Sequence, residues 1–325
     1  MRNVKKVLIT RKWPEAVEAK LSSLYDVTLN ENDQPMNVAD FRDALMTHDA
    51  VCPTVTDKMG PEVFKGLDNP RCKVLGNYGV GYTHIDTQAA NEAGITVTNT
   101  PDVLSECTAD IALTLMLMAA RRAGEGEREL RAGQWTGWRP THMVGQKMSG
   151  KTLGIVGFGR IGQETARRAK FGFGMRVMVQ NRSLVNPYIL KQTSAQQYRS
   201  LEEMLPHVDY LSLHCPGGDA NRGLISTKEL KAMKSSAILI NTARGEVVDD
   251  LALIHALKTG EIAAAGLDVF DGEPNVNPGY LDCENAVLLP HLGSATAETR
   301  EGMGFRVMDN LRQFFDGETP QDKVA

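Results

Sequence analysis

Arg244, Glu273 and His291 are the residues of this chain best suited to chemistry, and each stands just beyond an apolar run: ILINTARGEVVD, GLDVFDGEP and VLLPHLGSAT. Histidine titrates near neutrality and can give up or take a proton at working pH. A carboxylate bonded to the second ring nitrogen of such a histidine favours the imidazolium and fixes the ring. An arginine grips an α-keto acid through a forked bond to its carboxylate or carbonyl. The set suits hydride addition to a carbonyl, where charge builds on oxygen and an acid must supply a proton. Singly, each has a plain alternative: a satisfied core histidine, a surface ion pair, a solvated loop carboxylate. What joins them is their position after strands, because ligands of open α/β sheets sit outside the strands' carboxyl ends. Gly245 is expected to give the turn after Arg244 its freedom.

The hydride donor is implied upstream. In TLGIVGFGRIG, Gly157, Gly159 and Gly162 follow the apolar run Leu153 to Val156 and open the helical pattern RIGQETARRAK. The first glycine permits the tight turn, the second lets backbone approach a pyrophosphate, and the third lets the helix pack on the strand. The helix N-terminus then offers N–H groups and partial positive charge to phosphate. About twenty residues on, an NAD site usually places an acid on the ribose, whereas RVMVQNRS holds Asn181, Arg182 and Ser183. Asn181 removes a charge that would repel a 2′-phosphate, Arg182 offers a forked cation and Ser183 one more bond. NADPH is the expected cofactor, with NADH possible if Arg182 points into solvent.

These residues need strands and helices to carry them. VKKVLIT, YDVTLN, DAVCPTV, CKVLGNYG and ITVTNT read as strands between helical patterns, then a single helical stretch spans about Val103 to Ala132. TLGIVGFG, RVMVQN, VDYLSLHC, AILINTA, AAGLDVF and AVLLP read as a second, largely apolar series, as doubly covered parallel strands should. The expected class is α/β with two Rossmann-like or flavodoxin-like parallel-sheet domains. A final helix over about 295–315 has no strand after it and could return to the first domain. That gives a discontinuous domain of 1–100 and 293–325 around a dinucleotide-binding domain of 101–292.

Composition narrows the classes. A formal net charge of −4 with 23% charged residues offers no basic field for nucleic acid. The strongest apolar run, IALTLMLMAA, is too short to span a bilayer, and no long apolar segment follows the basic N-terminus. Five scattered cysteines without a C-x-x-C pair favour reduced thiols over disulfides or zinc, and no metal site is expected. A cytoplasmic protein is the expectation.

In order and spacing, GIVGFGRIG, INTARGEVVD, GLDVFDGEP and LPHLGSAT resemble the D-isomer-specific 2-hydroxyacid dehydrogenases over nearly the whole chain. The resemblance implies a homodimer built through the cofactor domains, Arg244 in substrate binding, His291 in acid–base catalysis and Glu273 orienting it. It implies a carboxylate cradle from the N–H groups of Val80 and Gly81 in NYGVGYTHID. It places cofactor contacts at Gly157, Phe158, Gly159, Arg160, Ile161 and Gly162, then at Asn181, Arg182 and Ser183. Further contacts are implied at His214, Pro216, Thr242, Asp268 and Gly293. Within the family the chain is most similar to glyoxylate/hydroxypyruvate reductases. GQWTGWRP is similar to a segment of theirs whose Trp, here Trp138, enters a neighbour's active site. PHLGSAT departs from many D-lactate dehydrogenases, the lack of a C-terminal regulatory domain from the longer phosphoglycerate dehydrogenases, and Glu273 from formate dehydrogenases. The substrate expected is a small 2-keto acid. A larger one such as 2-ketogluconate, or a nucleotide-sensing scaffold like the C-terminal-binding corepressors, are the alternatives.

Overall fold

The computed structural model describes residues 4–325. Runs rich in Val, Ile and Leu, bounded by Gly, Asn and Asp, form short strands; the segments between them wind into helices. In chain order these are β1 (Lys6–Ile9), α1 (Glu15–Leu24), β2 (Asp26–Thr28), α2 (Val38–Thr47), β3 (Ala50–Cys52), α3 (Pro61–Phe64), β4 (Val74–Gly76), α4 (Thr87–Glu92) and β5 (Thr96–Thr98). Next come α5 (Ser105–Ala120), α6 (Ala123–Arg131), β6 (Thr152–Val156), α7 (Arg160–Phe173), β7 (Arg176–Gln180), α8 (Pro187–Thr193), β8 (Ala195–Tyr198) and α9 (Leu201–Met204). The series ends with β9 (Tyr210–Leu213), α10 (Thr227–Ala232), β10 (Ile238–Asn241), α11 (Asp250–Thr259), β11 (Ala264–Leu267), β12 (Ala286–Leu288) and α12 (Ala297–Phe315). The chain is α/β, with both sheets parallel.

Two compact units result: the described residues up to Leu104 with Ala295–Ala325, and Ser105–Ser294. Against the sequence boundaries, 101–104 fall with the first unit and Gly293 and Ser294 with the second. Gly293 belongs there because Asp268 and Thr108 hold its backbone.

The first unit carries a five-stranded sheet in the order β2-β1-β3-β4-β5. Helix α12 returns to it so closely that a Cβ on Gly76 would lie 2.6 Å from Val307 Cγ1. The chain does have an extended segment after α12, against the sequence expectation. Residues at its end run antiparallel to β5, with a bridge between Thr98 and Lys323 and bonds between Val97 and both Val324 and Ala325. This pairing covers an edge strand that would otherwise expose its N–H and C=O groups.

The second unit holds seven parallel strands in the order β12-β11-β10-β9-β6-β7-β8. Side chains alternate across it: Leu239 joins the core under α11, while Ile238 and Ile240 join the core under α5. Two features differ from the sequence reading. The stretch expected as one helix breaks between α5 and α6, where Arg122 takes a left-handed φ of 52° and its guanidinium grips Glu125. A seventh strand, β8 (AQQY), joins the six expected and closes the sheet edge; being polar and four residues long, it gave no apolar signal.

Candidate active site

In the second unit the expected site residues follow the carboxyl ends of its parallel strands. Gly157 follows β6, Asn181 β7, His214 β9, Thr242 and Arg244 β10, Asp268 and Glu273 β11, and His291 β12. The strand order reverses where β6 lies between β7 and β9. That switch point opens a crevice because the adjoining connections leave on opposite sides.

His291 Nδ1 bonds Glu273 Oε2 at 2.8 Å, with both side chains about one-third exposed. The other carboxylate oxygen accepts from the Phe270 N–H at 2.8 Å. Burial alone would push the Glu273 carboxyl up. The bond and charge of His291, the Phe270 N–H and Arg244 outweigh it and hold the carboxyl below its usual range. Burial lowers Arg244, against the pull of Glu246 and Glu273, though a guanidinium stays charged at any working pH. Its Nη1 donates to Ala243 O at 2.6 Å. Gly245 differs from expectation: its φ is not positive, and the need is for space. A Cβ there would lie 1.9 Å from Phe270 C and 2.0 Å from Asp271 N, so the turn after β10 nests against the turn that bears Glu273.

His291 itself stands at φ 55°, and the surrounding loop holds it there. Asp268, almost wholly buried, accepts from Leu292 N at 2.6 Å and Gly293 N at 2.8 Å, and Thr108 Oγ1 donates to Gly293 O at 3.1 Å. Burial pushes the Asp268 carboxyl up against the Leu292 N–H, the charge of His291 and the Gly293 N–H. With both oxygens taken, Asp268 acts on the His291 loop from beneath.

The glycine loop has the form a dinucleotide requires. Gly157 has φ 87°, and a Cβ would lie 2.5 Å from Cys215 N; on Gly162 it would lie 2.4 Å from Gly157 O. A Cβ on Gly159 would meet nothing within 4 Å, so its backbone faces open space. Gly159 caps α7, whose first turn, opened by Arg160, Ile161 and Gly162, carries no acid. The Phe158 N–H donates to Asn181 Oδ1 at 3.0 Å, tying the loop to the end of β7. Arg182 and Ser183 are exposed. His214 sits between two hydroxyls, Ser212 at 2.9 Å and Thr242 at 3.4 Å, and burial pushes its imidazole down to about 3, so it stays neutral. Pro216 is exposed two residues on. Open space at Gly159 and a helix N-terminus without an acid fit the pyrophosphate of a dinucleotide. Among the described residues no cluster of His, Cys, Asp or Glu could hold a metal ion.

In the first unit the loop after β4 turns its carbonyls inward. Asn77 Nδ2 donates to Gly79 O and Gly81 O at 2.9 and 3.0 Å, Asn99 Nδ2 to Val80 O at 2.9 Å, and Thr100 N to Gly79 O. Among the described residues the Val80 and Gly81 N–H groups have no partner within the protein. These two successive N–H groups are open to donate to an anion.

Residues 113–293 match the family model of the D-isomer specific 2-hydroxyacid dehydrogenase, NAD binding domain. Over 323 residues the chain is 44% identical to the glyoxylate reductase of Thermococcus litoralis, covering 98% of this chain and 96% of that relative. The chain belongs to the D-isomer-specific 2-hydroxyacid dehydrogenases. A glyoxylate reductase structure from Paecilomyes thermophila superposes on this dehydrogenase with a TM-score of 0.87 at 33% identity, covering 99% of this chain and 98% of that one. The NADPH-dependent glyoxylate/hydroxypyruvate reductase of Sinorhizobium meliloti, in complex with NADP and malonate, gives 0.87 at 32%, covering 99% and 97%.

Membership makes the protein an oxidoreductase that works on 2-hydroxy and 2-keto acids with a nicotinamide cofactor. No helix of the dehydrogenase, among the described residues, is long and apolar enough to cross a membrane. Sequence reading missed the residues that hold its site loops. Asn77 and Asn99 each end a strand and clamp the 79–81 loop, and Thr108 anchors the His291 loop. An Asn at a strand end was the one visible signal; Thr108 gave none.

Proposed function

We propose that this dehydrogenase reduces small 2-keto acids, glyoxylate and hydroxypyruvate foremost, to D-2-hydroxy acids with NADPH. The reading is carried by the His291–Glu273 pair beside Arg244, set along the strand ends that also bear the glycine loop. The glycine loop and residues 181–183 would hold the cofactor, which when bound would supply the hydride. Nδ1 of His291 is occupied by Glu273, which leaves Nε2 to hand a proton to the carbonyl oxygen as charge develops there. Glu273 holds the ring and the positive charge. Arg244 forks onto the carboxylate of the keto acid. The names of the Thermococcus and Sinorhizobium relatives support the substrate and cofactor class. A cytoplasmic homodimer is the state in which we expect it to act.

The test is kcat/KM for glyoxylate, hydroxypyruvate and 2-ketogluconate with NADPH and NADH, in wild type and in the N181D/R182A double variant. A charge-assisted contact to the 2′-phosphate gives NADPH an advantage of roughly 10- to 100-fold, which the double variant should erase. As a control, H291N should lose about 10²- to 10⁴-fold in turnover. A wild type that favours NADH, or a double variant with unchanged preference, refutes the cofactor reading. Best turnover on 2-ketogluconate assigns the larger substrate, and no turnover on any keto acid points to a scaffold.

A further inference from the structure

The loop that would receive the 2′-phosphate is tied down by a side chain outside it. Asn181 Nδ2 donates to Ser183 O at 3.1 Å and Ser183 Oγ at 3.2 Å, while its Oδ1 accepts from Phe158 N in the glycine loop. Gln197, on the edge strand β8, bonds the same loop twice. Its Nε2 donates to Ser183 O at 3.0 Å, and its Oε1 accepts from Val185 N at 2.9 Å. The β7–β8 ladder sets Gln197 opposite Val179, two residues before Asn181, so this reach is fixed by strand register. The two bonds straddle Leu184, which is 93% exposed. Among the described residues the exposed Arg182 guanidinium makes no bond within the protein, so the backbone is held while the cation stays available.

We propose that Gln197 is a positioning residue for cofactor choice: its amide holds residues 183–185 in the form that presents Arg182 and Ser183 to the 2′-phosphate. The inference rests on the NADPH reading above and adds to it a residue beyond those expected to touch the cofactor. A side-chain amide of this length fits the double role. It offers a donor to a carbonyl and an acceptor to an N–H together, whereas glutamate lacks the donor, lysine lacks the acceptor and methionine lacks both. It also brings no negative charge to a loop meant for phosphate.

The experiment compares wild type, Q197M and Q197E for kcat and KM with NADPH and with NADH, alongside hydrogen exchange across residues 181–186. Q197M keeps the length and removes both bonds. Its KM for NADPH should rise about tenfold, with kcat and the KM for NADH within twofold, and the Val185 amide should exchange faster. Q197E keeps an acceptor for Val185, so that amide stays protected while the added charge weakens NADPH further. Should Q197M fail to fold, Q197A, which also removes both bonds and adds no charge, decides by the same readouts. Equal losses with both cofactors, or no loss with either, overturn the role of Gln197 while leaving the wild-type preference intact. A wild type without preference for NADPH overturns the cofactor reading itself, and this inference with it.

Discussion

His291 shows how a catalytic residue type can be legible while its support is not. A histidine between Pro290 and a Gly–Ser turn is visible in the sequence; its left-handed backbone at φ 55° is not. That conformation costs of order 1 kcal/mol or more for a residue with a side chain, and it persists only where the surroundings over-determine it. Here Asp268 and Thr108 do so from positions 23 and 183 residues away, a distance no local pattern spans. The same pairing gives a pH prediction. The Glu273 carboxyl is held below its usual range despite burial, so it stays ionised through the neutral range beside the ring of His291. Glu273→Gln keeps the size and removes that charge. Reduction should stay competent at acid pH and fail earlier as pH rises, so the alkaline limb of the kcat/KM profile moves to lower pH. A profile that superimposes on wild type would show that Glu273 only packs.

Among elements, the apolar strands were legible because parallel strands covered on both faces read as continuous Val, Ile and Leu runs. Strand β8, the break at Arg122 and the C-terminal pairing with β5 were not, because each rests on tertiary contact. A polar edge strand forms only where β7 offers a partner, and an arginine at positive φ leaves no mark in composition. The contact between the turns after β10 and β11 belongs to the same class. Gly245 reads as a flexible turn residue, yet its role is to let Phe270 and Asp271 approach. Gly245→Ala must push that turn outward, and Glu273 lies on it. A displacement near 1 Å at the reacting groups costs about 10²-fold in turnover. The variant should therefore lose kcat on that scale while dinucleotide affinity, measured by fluorescence titration, changes little. Wild-type kcat in G245A would mean the turn yields without moving Glu273.

Across the whole molecule, the last helix was expected to return to the first domain because no strand was read after it; it lies in the first unit, yet an extended segment does follow it and pairs with β5. The exact crossings, at Leu104 and Ser294, come from side chains that bind backbone far along the chain. The surface around α6 raises a different question. Leu130, Trp135, Trp138 and Val144 are 60%, 52%, 82% and 67% exposed within fifteen residues that lack regular structure after Arg131. Large apolar side chains left this exposed give a partner something to cover. A second copy of this chain is the partner that the family resemblance implies, with Trp138 entering its neighbour's pocket. Trp138→Ala tests this with two readouts. If the indole shapes a partner's substrate pocket, its loss enlarges that pocket, and the ratio of kcat/KM for hydroxypyruvate over glyoxylate should shift by several-fold toward the larger acid. One or two missing contacts in an apolar pocket are worth about 10-fold or more in discrimination, so the effect is measurable. Light scattering on the same samples should report two chains per particle for wild type. A wild-type monomer would remove the partner altogether. A dimer whose Trp138→Ala variant keeps the same substrate order and the same constants would confine Trp138 to packing.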